Sequence, residues 1–307
     1  MTPSSSAERR ARACLPAIRF LQAYVPFPMA NRLIRLGMAR VRLPADVTRE
    51  ALSADGVSCE RLTPRDSPND RALLYLHGGG FVFGLTPLHV EMVAHLARQM
   101  NIRALLVDYR LAPEHPFPAA LDDCLTAYRW LLRQGLAARN VVVAGDSAGG
   151  NLALTSLLKL RDGGGPLPAA AACLSPVADL AGRGSPPPGF RDPLLPRKAV
   201  GLYSRSYVAE HDARDPLISP VLGDWRGLPP LLIHVGEDEL LRADAVRVAE
   251  LARAAGVEVR LEIYPRMWHV WQIFRALPQA AQSLDDIACF LRSHLPATAQ
   301  PAKDLPR

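Results

Sequence analysis

A serine is framed by glycines in Gly145-Asp146-Ser147-Ala148-Gly149-Gly150. The motif follows the short β-branched run Val141-Val142-Val143-Ala144 and precedes an Ala- and Leu-rich stretch from Asn151. A buried strand, a strained turn and a helix are therefore expected, with the Ser147 hydroxyl lifted clear at the helix start. Serine is a weak nucleophile at its free pKa and needs a base within hydrogen-bond reach. Of the eight histidines, His269 is the best placed. It stands in Pro265-Arg266-Met267-Trp268-His269-Val270-Trp271, after the last predicted strand and before the final predicted helix. Reactive groups of open α/β sheets gather beyond the carboxyl ends of the strands. By the same reasoning His234, inside a predicted strand, is a core residue, and His269 is the expected base.

The base needs a carboxylate that fixes its tautomer and stabilises the imidazolium. In this chain order the acid falls between serine and histidine. Gly236-Glu237-Asp238-Glu239-Leu240 offers three consecutive acids just past a strand end. Position favours Asp238, with its neighbours as the alternatives, and Asp244 reads as a solvated or capping charge further into the helix. An oxyanion formed at Ser147 would need preorganised N–H donors. His77-Gly78-Gly79-Gly80 follows a strand, and Ala148 supplies another amide directly after the nucleophile. No lysine follows the glycines as in a phosphate-binding loop.

The elements that must position these groups are legible from periodicity. Val47–Leu52 and Val57–Leu62 flank Asp55-Gly56 as a hairpin. Strands follow at Ala72–Leu76, Ile102–Val107, Ala169–Leu174, Leu231–Val235 and Val257–Ile263, interleaved with helices near 86–100, 118–134, 240–255 and 278–294. Such alternation implies a mostly parallel sheet covered on both faces. Two short amphipathic helices are expected between Leu15 and Val41, broken at Pro26-Phe27-Pro28. In the second, Leu33, Ile34, Gly37, Met38 and Val41 line one face, with Arg32, Arg35 and Arg42 opposite. A solvated surface helix is the preferred reading over membrane contact. Residues 180–220 interrupt the rhythm with Ser185-Pro186-Pro187-Pro188-Gly189 and a helical stretch near 196–209, as a lid or binding loop would. Residues 1–7 and 297–307 read as polar, flexible ends.

The 307 residues, 49% hydrophobic and 21% charged, have an ordinary globular balance. The net charge of +6 owes much to arginines near the N-terminus, but no basic patch interleaved with aromatics suggests nucleic acid. The five cysteines are scattered without a C-x-x-C, so neither a disulfide framework nor a zinc site is indicated. With no secretory or membrane-spanning run, a cytoplasmic protein is expected.

Taken together, His77-Gly78-Gly79-Gly80, Tyr109-Arg110-Leu111-Ala112-Pro113-Glu114, Gly145–Gly150, Asp215-Pro216-Leu217-Ile218-Ser219-Pro220 and His269-Val270 resemble the bacterial hormone-sensitive-lipase family of α/β-hydrolases across roughly residues 45–295. The resemblance implies an α/β-hydrolase fold with a mostly parallel central sheet, helices on both faces and a helical cap. It implies a triad carried here by Ser147, Asp238 and His269, an oxyanion hole from Gly79, Gly80 and Ala148, and a structural role for Asp215. The acidic motif departs from the family's D-P-L form, being Asp238-Glu239-Leu240. The implied organisation is N-terminal cap helices at 1–45, a catalytic domain at 46–179 and 221–296, a cap insertion at 180–220 and a flexible tail at 297–307.

The expected activity is that of a serine carboxylesterase acting on short-to-medium acyl esters through an acyl-enzyme, with no cofactor or metal. A lactone hydrolase is the alternative within enzymes, and a non-catalytic small-molecule-binding protein is the alternative outside them. Phe81, Phe83, Leu202 and Tyr203 are expected near the acyl path. A small ester is the expected partner, a homodimer is left open, and neither nucleic acid nor membrane is expected.

Overall fold

Successive side chains along a strand point to opposite faces, so the continuously apolar central strands sort the core into two layers. In the computed structural model, which describes residues 6–182 and 190–296, eight strands form one sheet in the order β1-β2-β4-β3-β5-β6-β7-β8. They are β1 Val47–Ala54, β2 Val57–Pro64, β3 Ala72–Leu76, β4 Arg103–Val107, β5 Val141–Asp146, β6 Ala171–Leu174, β7 Leu231–Gly236 and β8 Val259–Tyr264. Only β2 runs against its neighbours, and β4, β3, β5, β6, β7 and β8 are parallel. Asp55 and Gly56 both take positive φ, the conformation that a two-residue hairpin turn demands.

Eight α-helices accompany the sheet among the described residues: α1 Ser6–Tyr24, α2 Phe27–Gly37, α3 Pro87–Met100, α4 Ala119–Arg133, α5 Ala148–Asp162, α6 Arg197–Val208, α7 Arg242–Ala254 and α8 Pro278–Ser293. Leu74 and Val143 point into one layer with α4, α5 and α7, while Leu73, Tyr75 and Val142 point into the other with α3 and α8. Central strands are thus buried on both faces, as parallel sheets require.

The N-terminal segment differs from expectation. α1 begins at Ser6 and runs through Pro16 as one helix. Buried Leu15 packs with Trp268 and Trp271, and Arg19 donates to the carbonyls of Asp192 and Leu195, so tertiary contacts hold a helix that an internal proline weakens. Tyr203 of α6 donates its hydroxyl to the Gln22 carbonyl at 2.9 Å, bringing the 180–220 insertion onto α1. The Pro-rich stretch at 185–189 and the tail at 297–307 lie outside the described residues.

Candidate active site

Ser147 sits at the junction of β5 and α5 with φ 53° and ψ −116°, the strained turn its flanking sequence predicts. The turn works because α5 can lie directly on β3: a Cβ at Gly149 would collide with the Leu76 carbonyl. The Ser147 amide donates to the Leu174 carbonyl at 2.8 Å, which fixes the turn against β6.

His269 reaches this serine from the loop after β8. Its Nε2 lies 2.9 Å from Ser147 Oγ, and the imidazole is buried. The flanking Trp268 and Trp271 are fully buried in a cluster with Tyr264, Met267 and Leu277, which anchors the loop and aims the ring. His234, in contrast, is a core residue facing Ser283 Oγ at 2.8 Å, and burial lowers its pKa to about 3.

The acid is where the structure departs from the sequence reading. Asp238 does not face His269. Its side chain is 42% exposed and lies 3.4 Å from Arg12 of α1. The carboxylate behind the histidine is Glu239, with Oε1 3.7 Å from His269 Nδ1. The other Glu239 oxygen accepts from Ser175 Oγ at 2.8 Å and from the Gly236 amide at 3.0 Å. The reason is local. The amides of Glu237 and Asp238 donate to the carbonyls of Tyr264 and Met267, tying the start of the turn to the β8 end. The turn then carries Glu239 inward, completely buried, while the Asp238 side chain faces outward. Burial by itself would lower the His269 pKa, but the facing Glu239, reinforced by Asp192 and Asp146, outweighs it and holds the imidazole above its ordinary value.

Two polar residues of this arrangement escape motif reading. Ser175, at positive φ after β6, donates to Glu239 and accepts from the Val270 amide at 3.2 Å, linking acid and base loops. Asp192 accepts from the amides of Leu194, Leu195 and Leu240 and so ties the insertion to the residue after Glu239. Neither has a sequence signature, because the contact that ties each to Glu239 or its neighbour is distant along the chain.

The glycine loop is held from beneath by Asp146, the residue before the nucleophile. Its Oδ1 accepts from the Gly78 amide at 3.0 Å and from the Tyr75 hydroxyl at 2.7 Å, and its Oδ2 lies 3.3 Å from His89 Nε2. Burial would raise this carboxyl, yet His89, Tyr75 and Gly78 outweigh it and hold the pKa below the ordinary value. The other ring nitrogen of His89 closes the capping box of α3 with Thr86. His77 stacks on Tyr109 at 4.2 Å, and burial lowers its pKa to about 3, so it serves as packing rather than as a base.

Gly80, at φ 61°, is where the insertion meets the loop: a Cβ there would lie 2.5 Å from the Tyr203 ring. Ala148 is the first residue of α5, where amides have no helical acceptor. Of the four residues expected along the acyl path, Phe83 and Tyr203 meet edge-to-face at 5.4 Å and share Phe27 of α2 over this loop. The other two are placed differently. Phe81 is buried and stacked on Tyr207 at 3.7 Å, and Leu202, 44% exposed, points outward because it shares the helix with inward-facing Tyr203. Asp244 is buried rather than solvated. It accepts from the amides of Ala178 and Asp179, and burial pushes its carboxyl up to about 7. Asp215 accepts from the Leu217 amide within its own turn.

This strand-turn-helix serine with a histidine beyond the last strand defines an α/β-hydrolase. Residues 73–273 match the family described as alpha/beta hydrolase fold. The chain is 43% identical over 226 residues to an acetyl-hydrolase of Streptomyces hygroscopicus, covering 73% of this chain and 76% of that protein. It is 34% identical to the putative acetyl-hydrolase LipR of Mycobacterium tuberculosis, covering 92% and 94%. A crystal structure of an esterase from the bacterial hormone-sensitive lipase family superposes with a TM-score of 0.87 at 38% identity, covering 96% of this chain and all of that one. The chain belongs to the bacterial hormone-sensitive-lipase family of α/β-hydrolases.

Proposed function

We propose that the chain is a serine carboxylesterase in which Ser147 is the nucleophile, His269 the general base and Glu239 the triad acid. The observation that supports this most is the 2.9 Å approach of His269 Nε2 to Ser147 Oγ with Glu239 behind the ring. His269 accepts the hydroxyl proton as Ser147 attacks the ester carbonyl. The amides of Gly79, Gly80 and Ala148 receive the oxyanion. His269 then gives the proton to the departing alcohol, and water repeats the sequence on the acyl-enzyme. Glu239 keeps the proton-bearing Nδ1 turned away from the serine and stabilises the imidazolium.

Helices α1, α2 and α6 act as the cap, with Phe27, Phe83 and Tyr203 limiting the space above the glycine loop. The relative named acetyl-hydrolase supports short acyl groups. Each added methylene gains about 0.8 kcal/mol of burial, whereas overpacking costs about 1–3 kcal/mol. The preferred acyl groups are therefore roughly two to eight carbons long by that balance. The free cysteines, dispersed along the fold, suit a cytoplasmic setting. A series of p-nitrophenyl esters of increasing acyl length tests the reading. Turnover should be greatest for short acyl groups and fall for long ones, and a preference for the longest chains would overturn it.

A further inference from the structure

The cap helices carry an unusual surface. Nine large apolar side chains are exposed among the described residues, and six of them lie on α1 and α2: Phe20, Leu21, Tyr24, Met29, Leu33 and Leu36. Leu88 begins α3, where Pro87 abuts Gly37 at the end of α2, and Leu202 lies on α6. Only Ile263 belongs to the catalytic sheet. The sequence pattern assigns Leu33 to the inner face of α2, yet it is 55% exposed. The inner stripe is Phe27, Asn31, Ile34 and Met38, with Asn31 bonded to both Val82 and Gly84. Met29, Leu33 and Leu36, at i, i+4 and i+7, form a second, outward stripe. α2 is thus apolar on two sides, and one of them is unpartnered.

Charge identifies the occupant. Between residues 9 and 45 the chain has eight arginines, no lysine and no acid, so this segment more than accounts for the net charge of +6. Arg32 and Arg40 are exposed beside the outward stripe. Apolar and aromatic side chains rimmed by arginine are the signature of a helix that lies in a membrane interface. A second copy fits poorly, because a two-fold contact would set this arginine-rich face against itself. Among the described residues no helix is long and apolar enough to cross a membrane, so the contact would be peripheral.

We propose that α1 and α2 form a docking face for an anionic lipid surface, with Phe20, Tyr24, Leu33 and Leu36 entering the headgroup region and Arg32 and Arg40 meeting lipid phosphates. Docking is separate from the chemistry at Ser147 and is read independently of it. The test is co-sedimentation of the full chain with phosphatidylcholine vesicles, with and without phosphatidylglycerol. Binding should require phosphatidylglycerol and weaken as salt rises. Arg32→Gln with Arg40→Gln should lower the partition coefficient about 25-fold, at roughly fivefold for each arginine near an anionic surface. Leu33→Ser with Leu36→Ser should lower it about tenfold or more for each side chain that enters the interface. Both variants should keep wild-type turnover of a soluble short ester and a native circular dichroism spectrum. No sedimentation with anionic vesicles would overturn the proposal, as would binding that both variants retain. A dimer in analytical ultracentrifugation that Leu33→Ser/Leu36→Ser dissolves, without vesicle binding, would assign the face to a second copy instead.

Discussion

Glu239→Gln separates two adjacent acids of which position along the chain favours the other, Asp238. Its carboxylate lies 3.7 Å from His269 Nδ1, and both groups are buried. At an effective dielectric of about 20, that separation stabilises the imidazolium by about 4–5 kcal/mol. Loss of that charge corresponds to about 10³ in rate, and loss of tautomer control carries the effect toward about 10⁴. Glu239→Gln should therefore lower kcat by about 10³–10⁴ with a smaller change in KM. Asp238→Asn breaks a half-exposed pair with Arg12 that contributes at most about 1 kcal/mol, so the cost should stay below about fivefold. The pH profile gives a second reading. His269 must be neutral to act as a base, and its pKa is raised, so the acidic limb of kcat/KM should lie above 6.5. Without the Glu239 charge, burial dominates and the limb should move to lower pH. The assay is steady-state hydrolysis of p-nitrophenyl acetate from pH 5 to 9, with circular dichroism of each variant. A large loss in Asp238→Asn with a small one in Glu239→Gln would make Asp238, not Glu239, the triad acid.

Further outcomes follow from the same geometry. Ser147→Ala and His269→Ala should each lose about 10⁴–10⁶ in kcat, and the double variant should be little worse, since triad members act as a unit. Removing residues 1–42 should lower kcat/KM and flatten the acyl-length preference, measured on the same ester series after folding is confirmed. Asp244, whose carboxyl rises from 3.8 to about 7 on folding, keeps its proton in the folded state while the unfolded chain releases it. Its contribution to stability is thus greatest below about pH 4 and is lost as pH rises toward 7. Asp244→Asn should flatten that part of the stability curve, as chemical denaturation across the range would report.

Much of the fold was legible because its signals are local. The strands declare themselves through short apolar runs between helical stretches, β-branched in β5, and Ser147 through the glycines on either side of a strand-to-helix turn. His269 was legible from its place after the last strand. The carboxylate that faces it was not, because Glu237, Asp238 and Glu239 share one turn and their directions depend on Tyr264, Met267 and Ser175. Asp244 was misread as solvated for a related reason: the amides that bind it belong to the loop after β6. In α2 a single apolar stripe was expected, and Leu33 was drawn into it because sequence cannot distinguish an inner leucine from an outer one.

The proposed chemistry rests on Ser147 as the nucleophile. Treatment with a fluorophosphonate, followed by peptide mass mapping, tests it directly. One phosphonyl adduct per chain is expected, on the Ser147 peptide, growing in step with loss of esterase activity and absent from Ser147→Ala. Full inactivation with the adduct on another residue, or continued ester turnover by Ser147→Ala at the wild-type rate, would contradict it.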